Sequence, residues 1–239
     1  QDASQKVIGF GGRVMGDGKP KYLNSPETLI FDKSRNLFGL NYAKNARAGY
    51  MIICEGYMDV IAMHQAGFNM AVASLGTAFT TGQAMILKRY TDEVILSYDS
   101  DEAGTKAALR GIGILREAGL KGKVLDLRPH KDPDEFIKNE GKEAFEERIR
   151  NAENTFFFEV RVMQAGHDMS DPESKTEFHR ALAKKLCEFE EALERENYIE
   201  AVAAKYNIAV DDLRRLVAHY ASQGGLVRPS EKPKSGIQK

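Results

Sequence analysis

Cysteine and tryptophan are scarce in this sequence of 239 residues, which contains two cysteines, Cys54 and Cys187, and no tryptophan. The two cysteines lie far apart and form no C-x-x-C pair, which excludes a disulfide framework and a structural zinc site held by cysteines. Scarce cysteine is typical of a reducing compartment. We therefore expect a cytoplasmic protein without structural zinc.

Long apolar runs are also missing, and the start of the chain lacks the basic and then apolar build of a signal peptide. The sequence therefore predicts no association with a membrane. With 42% hydrophobic and 29% charged residues, its composition is that of an ordinary globular protein with an ample core. Because the strand-like segment "KVIGFGGRV" comes almost at once, we expect the chain to be a fragment of a longer one.

Positive charge is concentrated in the first 47 residues. They hold eight Lys or Arg against four acidic residues, a net of +4, whereas the whole chain has a net charge of −1, which leaves −5 for the rest. A basic end beside an acidic centre suits a protein that holds a polyanion next to a metal site. Random scatter of surface charge explains the composition equally well.

Residues 1–48 predict a β-hairpin followed by helix. Asp17-Gly18 is a tight-turn signal between "KVIGFGGRVM" and "KPKYL". Ser25 and Pro26 then have the order of a helix cap and a first helical residue. The stretch "NLFGLNYAKNARAG" carries apolar residues at helical spacing.

Residues 49–140 alternate between strand and helix. Four apolar segments predict buried strands: "YMIICEG", "MAVASLG", "EVILSYD" and "KVLDLRP". Helical segments between them imply crossover connections, and hence an α/β domain with a parallel sheet covered by helices on both faces. Ligands of such open sheets bind at the carboxyl ends of the strands.

Residues 141–222 predict a helical bundle without strands. Ser170 and Glu173 have capping-box spacing at the start of one amphipathic helix. Two further helices follow, "EALERENYIEAVAAKY" and "VDDLRRLVAHYAS". Residues 223–239 have the composition of a flexible tail.

Three acidic pairs follow the predicted strands. They are Glu55 and Asp59 after the first strand, Asp99 and Asp101 after the third, and Asp132 and Asp134 after the fourth. Because the carboxyl ends of parallel strands share one edge of the sheet, we expect these side chains to converge. Any single pair taken alone is better explained by a solvated strand end, whereas three pairs at one edge favour a site.

Converging carboxylates need a counter-charge. Two like charges about 4 Å apart cost on the order of 4 kcal/mol at an effective dielectric constant near 20. Such groups take up protons or bind divalent cations. Oxygen ligands without a neighbouring His or Cys favour Mg²⁺ or Mn²⁺ over zinc. The sequence therefore predicts a Mg²⁺ site in which Mn²⁺ can substitute.

The acidic segments resemble a known family. "EGYMDVIA", "YDSDEAG" and "KDPDEF" are similar to the motifs of the toprim fold, which topoisomerases, some nucleases, recombination proteins and bacterial primases share. "VIGFGGRV", "PKYLNSPET" and "FDKSRNLFGL", in this order, resemble the bacterial replicative DNA primases of the DnaG type. The resemblance runs from about Lys6 to the end of the helical bundle and places the toprim domain at residues 49–140.

This resemblance implies synthesis of RNA primers on single-stranded DNA from nucleoside triphosphates. It makes three residues the catalytic and principal metal ligands: Glu55, Asp99 and Asp101. Three more acids complete the metal-binding patch: Asp59, Asp132 and Asp134. Three basic residues match positions that hold the template–primer backbone or the triphosphate: Arg13, Lys21 and Lys33. Tyr22 either stacks on a base or packs within the hairpin.

Two other functions remain open: a toprim nuclease that cuts with the same metals, and a nucleotide- or DNA-binding module. Compared with the family, the chain lacks the cysteines of a zinc domain, the preceding half of the core and a recognisable helicase-binding domain. We therefore expect a replicative helicase to bind through a region absent here. We also expect the fragment alone to be weakly active or inactive.

Overall fold

The structure is a computed structural model that describes residues 1–20 and 22–223. It divides into two compact units, Gln1–Glu159 and Val160–Lys239, which are described separately. The finer division of the sequence at 48, 140 and 222 stays a prediction. Lys21 and all of the expected tail except Gln223 lie outside the described residues.

A short hairpin opens the first unit. Strands β1 (Gly11–Arg13) and β2 (Tyr22–Asn24) pair antiparallel, with Gly11 opposite Asn24. Ser25 extends this pairing, since its N–H donates to the carbonyl of Phe10 at 2.8 Å and its hydroxyl accepts the N–H of Phe10 at 2.9 Å. The hairpin is confirmed, but the helix expected at Pro26 is wrong because the Ser25 hydroxyl serves the hairpin rather than a helix cap.

The second expected helix of this region is much shorter than the sequence predicted. A 3₁₀ turn at Lys33–Arg35 precedes helix α1 (Leu40–Ala43). Phe38 pairs with the central sheet instead: its N–H donates to the carbonyl of Ala73 at 2.8 Å and its carbonyl accepts the N–H of Ala73 at 3.1 Å. This distant pairing competes with the helical hydrogen bonds that the spacing suggested.

The central sheet of the first unit is mostly parallel. Its strands are β3 (Met51–Cys54), β4 (Ala71–Ala73), β5 (Glu93–Ser97), β6 (Lys121–Val124) and β7 (Glu153–Asn154). Within the described residues their order is β4-β3-β5-β6-β7, and only β7 runs antiparallel. The four parallel strands are those that the sequence predicted. The two-residue β7 corrects the expectation of no strand beyond residue 140, because so short an edge strand has no periodic pattern.

Helices cover the sheet, and their bounds are α2 (Tyr57–Gln65), α3 (Thr81–Leu87), α4 (Glu102–Glu117) and α5 (Pro133–Arg150). One hydrophobic core joins Ile52 of the sheet to Val60 and Met63 of α2 and to Phe136 and Phe145 of α5. These helices fix the loops that follow β3, β5 and β6. The α/β class with a parallel, helix-covered sheet is confirmed.

Helix α6 (Thr155–Ala165) contains the division between the two units. In the second unit, α7 (Pro172–Leu186), α8 (Ala192–Tyr206) and α9 (Val210–Gln223) pack on one another. Phe178, Leu182 and Val202 are fully buried there. The expected C-terminal helices are confirmed, although α7 is capped by Asp171, whose carboxylate accepts the N–H of Ser174 at 2.8 Å, and not by Ser170. In the described part of the chain, no helix has the length and apolar character needed to cross a bilayer.

Candidate active site

A cleft of about 360 Å³ lies within the first unit, where the hairpin faces the carboxyl ends of the parallel strands. It is lined by most of the residues that the sequence singled out: Arg13, Tyr22, Glu55, Asp59, Asp99, Asp132 and Asp134. These side chains come from four separate stretches of the chain. The topology therefore brings acids and a basic hairpin strand to one place, as the strand-edge argument expected.

Glu55 and Asp99 are linked across neighbouring strands. Glu55 follows β3, Asp99 follows β5, and the Glu55 Oε1 atom accepts the backbone N–H of Asp99 at 3.0 Å. Burial raises the pKa of the Glu55 carboxyl, and the charges of Asp99 and Asp101 raise it further, against the opposing effects of this hydrogen bond and of Lys131. The Glu55 carboxylate is thus held in place by a hydrogen bond, but its ionised form is disfavoured unless a cation is near.

Asp59 lies in the first turn of α2 and lines the cleft. Its Oδ2 atom accepts the N–H of Gly56 at 3.1 Å, which closes the first turn of the helix. Burial raises the pKa of Asp59 to about 7, helped by the charges of Asp132, Asp99 and Glu55. Asp59 is therefore a carboxyl group whose charged form is disfavoured first by its burial and then by the acids around it.

Asp99 has a cationic neighbour that the sequence analysis missed. The Nζ atom of Lys131 lies 3.5 Å from the Asp99 Oδ2 atom. Burial raises the pKa of the Asp99 carboxyl, Lys131 opposes this, and Asp132 and Asp101 add to it. The position of Lys131 directly before Asp132 in "HKDPDEF" was the available signal.

Asp101 is held differently from the other acids. It is the N-cap of α4, and its Oδ1 atom accepts the N–H of Gly104 at 2.8 Å. It does not line the cleft, although its charge is near enough to raise the pKa values of Glu55 and Asp99. Its assignment as a principal ligand stays a prediction.

Gly104 lets the start of α4 approach the Asp99 backbone closely. A Cβ atom at this position would lie 2.0 Å from the Asp99 carbonyl oxygen, which no side chain tolerates. The glycine three residues after Asp101 is thus a site residue that sequence reasoning passed over. It fixes the path of the loop that carries Asp99.

The last acidic pair begins α5. The Asp132 Oδ1 atom accepts the N–H of Glu135 at 2.8 Å and caps the helix, while the Asp134 Oδ2 atom lies 2.6 Å from the Lys138 ammonium. Capping and an i,i+4 ion pair are the ordinary structural uses of such residues. Both side chains nevertheless line the cleft.

The acids approach one another without forming a closed cage. Within residues 1–20 and 22–223, no three His, Cys, Asp or Glu side chains are grouped tightly enough to hold a metal ion as they stand. The donor atoms that face the cleft are nevertheless carboxylate oxygens, the ligands that Mg²⁺ and Mn²⁺ prefer. The chemistry of the residues fits such a cation, and their coordination of it stays a prediction.

Aromatic and basic side chains form the hairpin side of the cleft. The Arg13 guanidinium lies 5.9 Å from the centre of the exposed Tyr22 ring, which meets Tyr57 edge-on at 6.1 Å. The Tyr57 hydroxyl donates to Asn24 Oδ1, and Asn24 Nδ2 donates to the Leu75 carbonyl at 3.1 Å. These contacts, which the sequence did not predict, tie the hairpin to the sheet.

Of the two remaining predicted basic residues, the structure describes Lys33, which is not brought to the cleft. Lys33 lies in the 3₁₀ turn, where its carbonyl accepts a hydrogen bond from Gln83 at 2.9 Å, and it does not line the cleft. Lys21 lies outside the described residues. Their roles toward nucleic acid or nucleotide stay predictions.

Three family models match this chain. The toprim-like model matches residues 52–137, the N-terminal domain of the DNA primase catalytic core matches residues 1–44, and the DnaB-helicase binding domain of primase matches residues 157–211. The third match corrects the expectation that the helicase-binding region is absent here. Amphipathic spacing alone could not reveal it, because helices that only pack together and helices that also bind a partner share the same pattern.

Known proteins agree with these matches. The DNA primase of Clostridium acetobutylicum is 44% identical over 225 residues, which are 94% of this chain and 38% of that protein. A structure of the DnaG catalytic core is 38% identical, with a TM-score of 0.72 over 89% of this chain and 70% of that one. A DnaG primase catalytic domain bound to single-stranded DNA is 37% identical, with a TM-score of 0.74 over 89% and 69%. The chain spans well under half the length of the curated relatives that it matches, and it belongs to the family of bacterial DnaG-type DNA primases.

Proposed function

We propose that this chain is the part of a DNA primase that joins ribonucleotides into short RNA primers on a single-stranded DNA template. One observation carries the proposal: carboxylates from three loops at the edge of the toprim sheet share a cleft with Arg13 and Tyr22 of the hairpin. The similar catalytic domain whose structure contains single-stranded DNA supports a DNA template.

Toprim domains of primases are metal-dependent, and Mg²⁺ is the ion that we propose here. Glu55 and Asp99 would hold it, with Asp101 close behind them and with Asp59, Asp132 and Asp134 completing the acidic surround. A divalent cation supplies charge stabilisation and orientation for phosphoryl transfer. The protein's own part is to keep these carboxylates at fixed positions, which the Glu55–Asp99 hydrogen bond and the caps of α4 and α5 accomplish.

The reaction that we propose is the condensation of ribonucleotides. The 3′-hydroxyl of the growing primer attacks the α-phosphate of a nucleoside triphosphate, and pyrophosphate leaves. On the hairpin side, Arg13 would attract a phosphate, with Lys21 and Lys33 as further candidates outside the described contacts of the cleft. Tyr22 offers an exposed ring on which a base can stack.

The helical part has a separate proposed role. Residues 157–211 match the DnaB-helicase binding domain of primase, and we propose that they contact a replicative helicase. Recruitment and synthesis would then reside in different segments of one polypeptide. We propose that the protein works in the cytoplasm, and that the present chain alone is weakly active or inactive.

The test is primer synthesis by the primase that contains this chain, on single-stranded DNA with Mg²⁺, before and after Asp99→Asn. We expect the substitution to lower the rate at least about 100-fold, because removing a carboxylate weakens cation binding and charge stabilisation together. Asp212→Asn is the matched control, since Asp212 pairs with Arg215 in α9, and it should keep the rate.

Two results would overturn the proposal. One is an Asp99→Asn protein that makes primers at the normal rate. The other is a wild-type protein that cuts DNA with Mn²⁺ and makes no primers, which would identify a toprim nuclease instead.

A further inference from the structure

Lys131 is a cation on the acidic side of the cleft that the sequence assigned to no role. Among the described residues that line the cleft, the cationic side chains are Arg13 and Lys131. Arg13 stands on the hairpin, whereas Lys131 stands among the carboxylates, 3.5 Å from Asp99. A triphosphate that approached the acids would therefore meet Lys131 there.

The main chain around Lys131 is fixed from both sides. Its carbonyl accepts the N–H of Ser100 at 3.1 Å, and its own N–H donates to Glu135 Oε2 at 2.8 Å. The Ser100 hydroxyl also donates to the carbonyl of His130 at 3.1 Å. These hydrogen bonds join the loop after β6 to the loop that carries Asp99. The backbone of Lys131 is therefore fixed beside the acids, even when its side chain moves.

The side chain of Lys131, in contrast, is only loosely held. It is 64% exposed, whereas the Asp99 side chain is 21% exposed. An ion pair with one partner so open to water is weak. A divalent cation at Asp99 has twice the charge of an ammonium group and would displace it from the carboxylate.

We propose that Lys131 is a nucleotide-positioning residue, which neutralises Asp99 before the cation arrives and then binds the triphosphate of the incoming nucleotide. The inference rests on the proposed function. Displacement by the cation would release the ammonium group from Asp99 while Lys131 still lines the same cleft. A triphosphate bound beside Asp99 would lie near this group, since hydrogen bonds join the backbone at Lys131 to the loop that carries Asp99.

The test is Lys131→Met, measured first by binding alone. Without nucleotide, Mn²⁺ followed by electron paramagnetic resonance should bind about two- to fivefold more tightly, because a competing surface ion pair is gone. With saturating Mn²⁺, α,β-methylene ATP should bind about tenfold or more weakly, because a charged contact to phosphate is lost. In primer synthesis by the primase that contains this chain, KM for nucleotide should rise while kcat changes little.

Two further variants separate positioning from a general charge effect. Lys131→Arg should keep nucleotide affinity near that of the wild type. Lys106→Met is the matched control, because Lys106 is also 64% exposed and pairs with Glu102 at 2.5 Å, outside the cleft lining. It should change neither Mn²⁺ nor nucleotide affinity.

The inference fails if Lys131→Met leaves nucleotide affinity unchanged, weakens Mn²⁺ binding, or acts no differently from Lys106→Met. Each of these results leaves the proposed function intact, provided that the wild-type primase makes primers. A wild-type protein that makes none would remove the proposed function itself, and the two failures are therefore distinguishable.

Discussion

Acidic side chains have opposite surroundings in the two units of this molecule. In the cleft of the first unit, burial and neighbouring carboxylates raise the pKa values of Glu55, Asp59 and Asp99. In the second unit, the Arg214 guanidinium binds Glu196 at 2.6 Å, Glu200 at 2.9 Å and Asp211 at 3.1 Å. The same residue types are crowded together in one unit and neutralised by an arginine in the other.

This difference distinguishes a candidate cation-binding site from an ordinary charged surface. An arginine donates hydrogen bonds to the carboxylates around it and offsets their charge, so they need no other cation, and such exposed pairs stabilise a helical unit only modestly. Carboxylates that face one another raise the free energy of the folded protein until a cation joins them. Acidic composition alone is therefore a poor guide to function, and the supply of cationic partners is a better one.

The largest expected effect comes from a substitution that displaces the backbone of the loop carrying Asp99. In Gly104→Ala, the new Cβ atom would lie 2.0 Å from the Asp99 carbonyl oxygen, so either α4 or the Asp99 loop must move. We expect a loss of at least about 3 kcal/mol in the free energy of unfolding, together with weaker Mn²⁺ binding. Denaturant unfolding and Mn²⁺ titration measure the two effects.

Gly113→Ala is the control in the same helix, because a Cβ atom there meets nothing within 4 Å. Alanine should be neutral or should stabilise α4 by up to about 1 kcal/mol. Equal stability of the two variants would show that the close approach at Gly104 does not hold the Asp99 loop.

The next effect concerns pH. With a pKa of about 7 in the folded protein against an ordinary value of 3.8, Asp59 keeps its proton in the folded state while the unfolded chain has lost it. Its contribution to stability is fully present below pH 3.8 and is lost as the pH rises through 7. In buffer with EDTA, Asp59→Asn should therefore reduce the loss of stability between pH 5 and pH 8 by about 2 kcal/mol.

Asp168→Asn in the second unit is the control for this experiment. Hydrogen bonds from Ser170 lower the pKa of Asp168, so it is ionised throughout this pH range in both states. Its substitution should leave the slope of stability against pH unchanged between 5 and 8. If both variants gave the same slope as the wild type, the burial of Asp59 among other acids would not be a source of instability.

The parallel strands and the edge where the acids meet could be predicted from the sequence, because buried runs and strand ends are local patterns. Glu55 and Asp99 were expected to meet in this way, and they do, while their roles stay predictions. Pro26 and Phe38 were misassigned to helices because the hydrogen bonds of Ser25 and Phe38 go to residues distant in sequence. No local pattern shows that a main-chain group has a better partner elsewhere.

Two residues beside the acids were passed over, and both are recognised only by their distance to Asp99 in the folded chain. Lys131 is relevant because its ammonium group lies close to Asp99. Gly104 is relevant because its lack of a side chain lets α4 lie against the backbone of Asp99. Asp101 was assigned a ligand's role from the resemblance; the fold shows that it also caps α4, and the ligand's role stays a prediction. Such roles depend on the path of the chain between elements, which periodicity does not specify.

The smallest effect tests the other side of the comparison, the paired acids of the second unit. Arg214→Met removes the cation that three carboxylates share, but the arginine and its partners are open to water. We expect the melting temperature to fall by at most a few degrees. In 1 M NaCl the difference should nearly vanish, because the screening length shrinks to about 3 Å. A larger loss of melting temperature that persists in high salt would mean that these acids depend on their counter-charge as strongly as the acids of the cleft. Position in the fold, rather than pairing with a cation, would then distinguish a site from a surface.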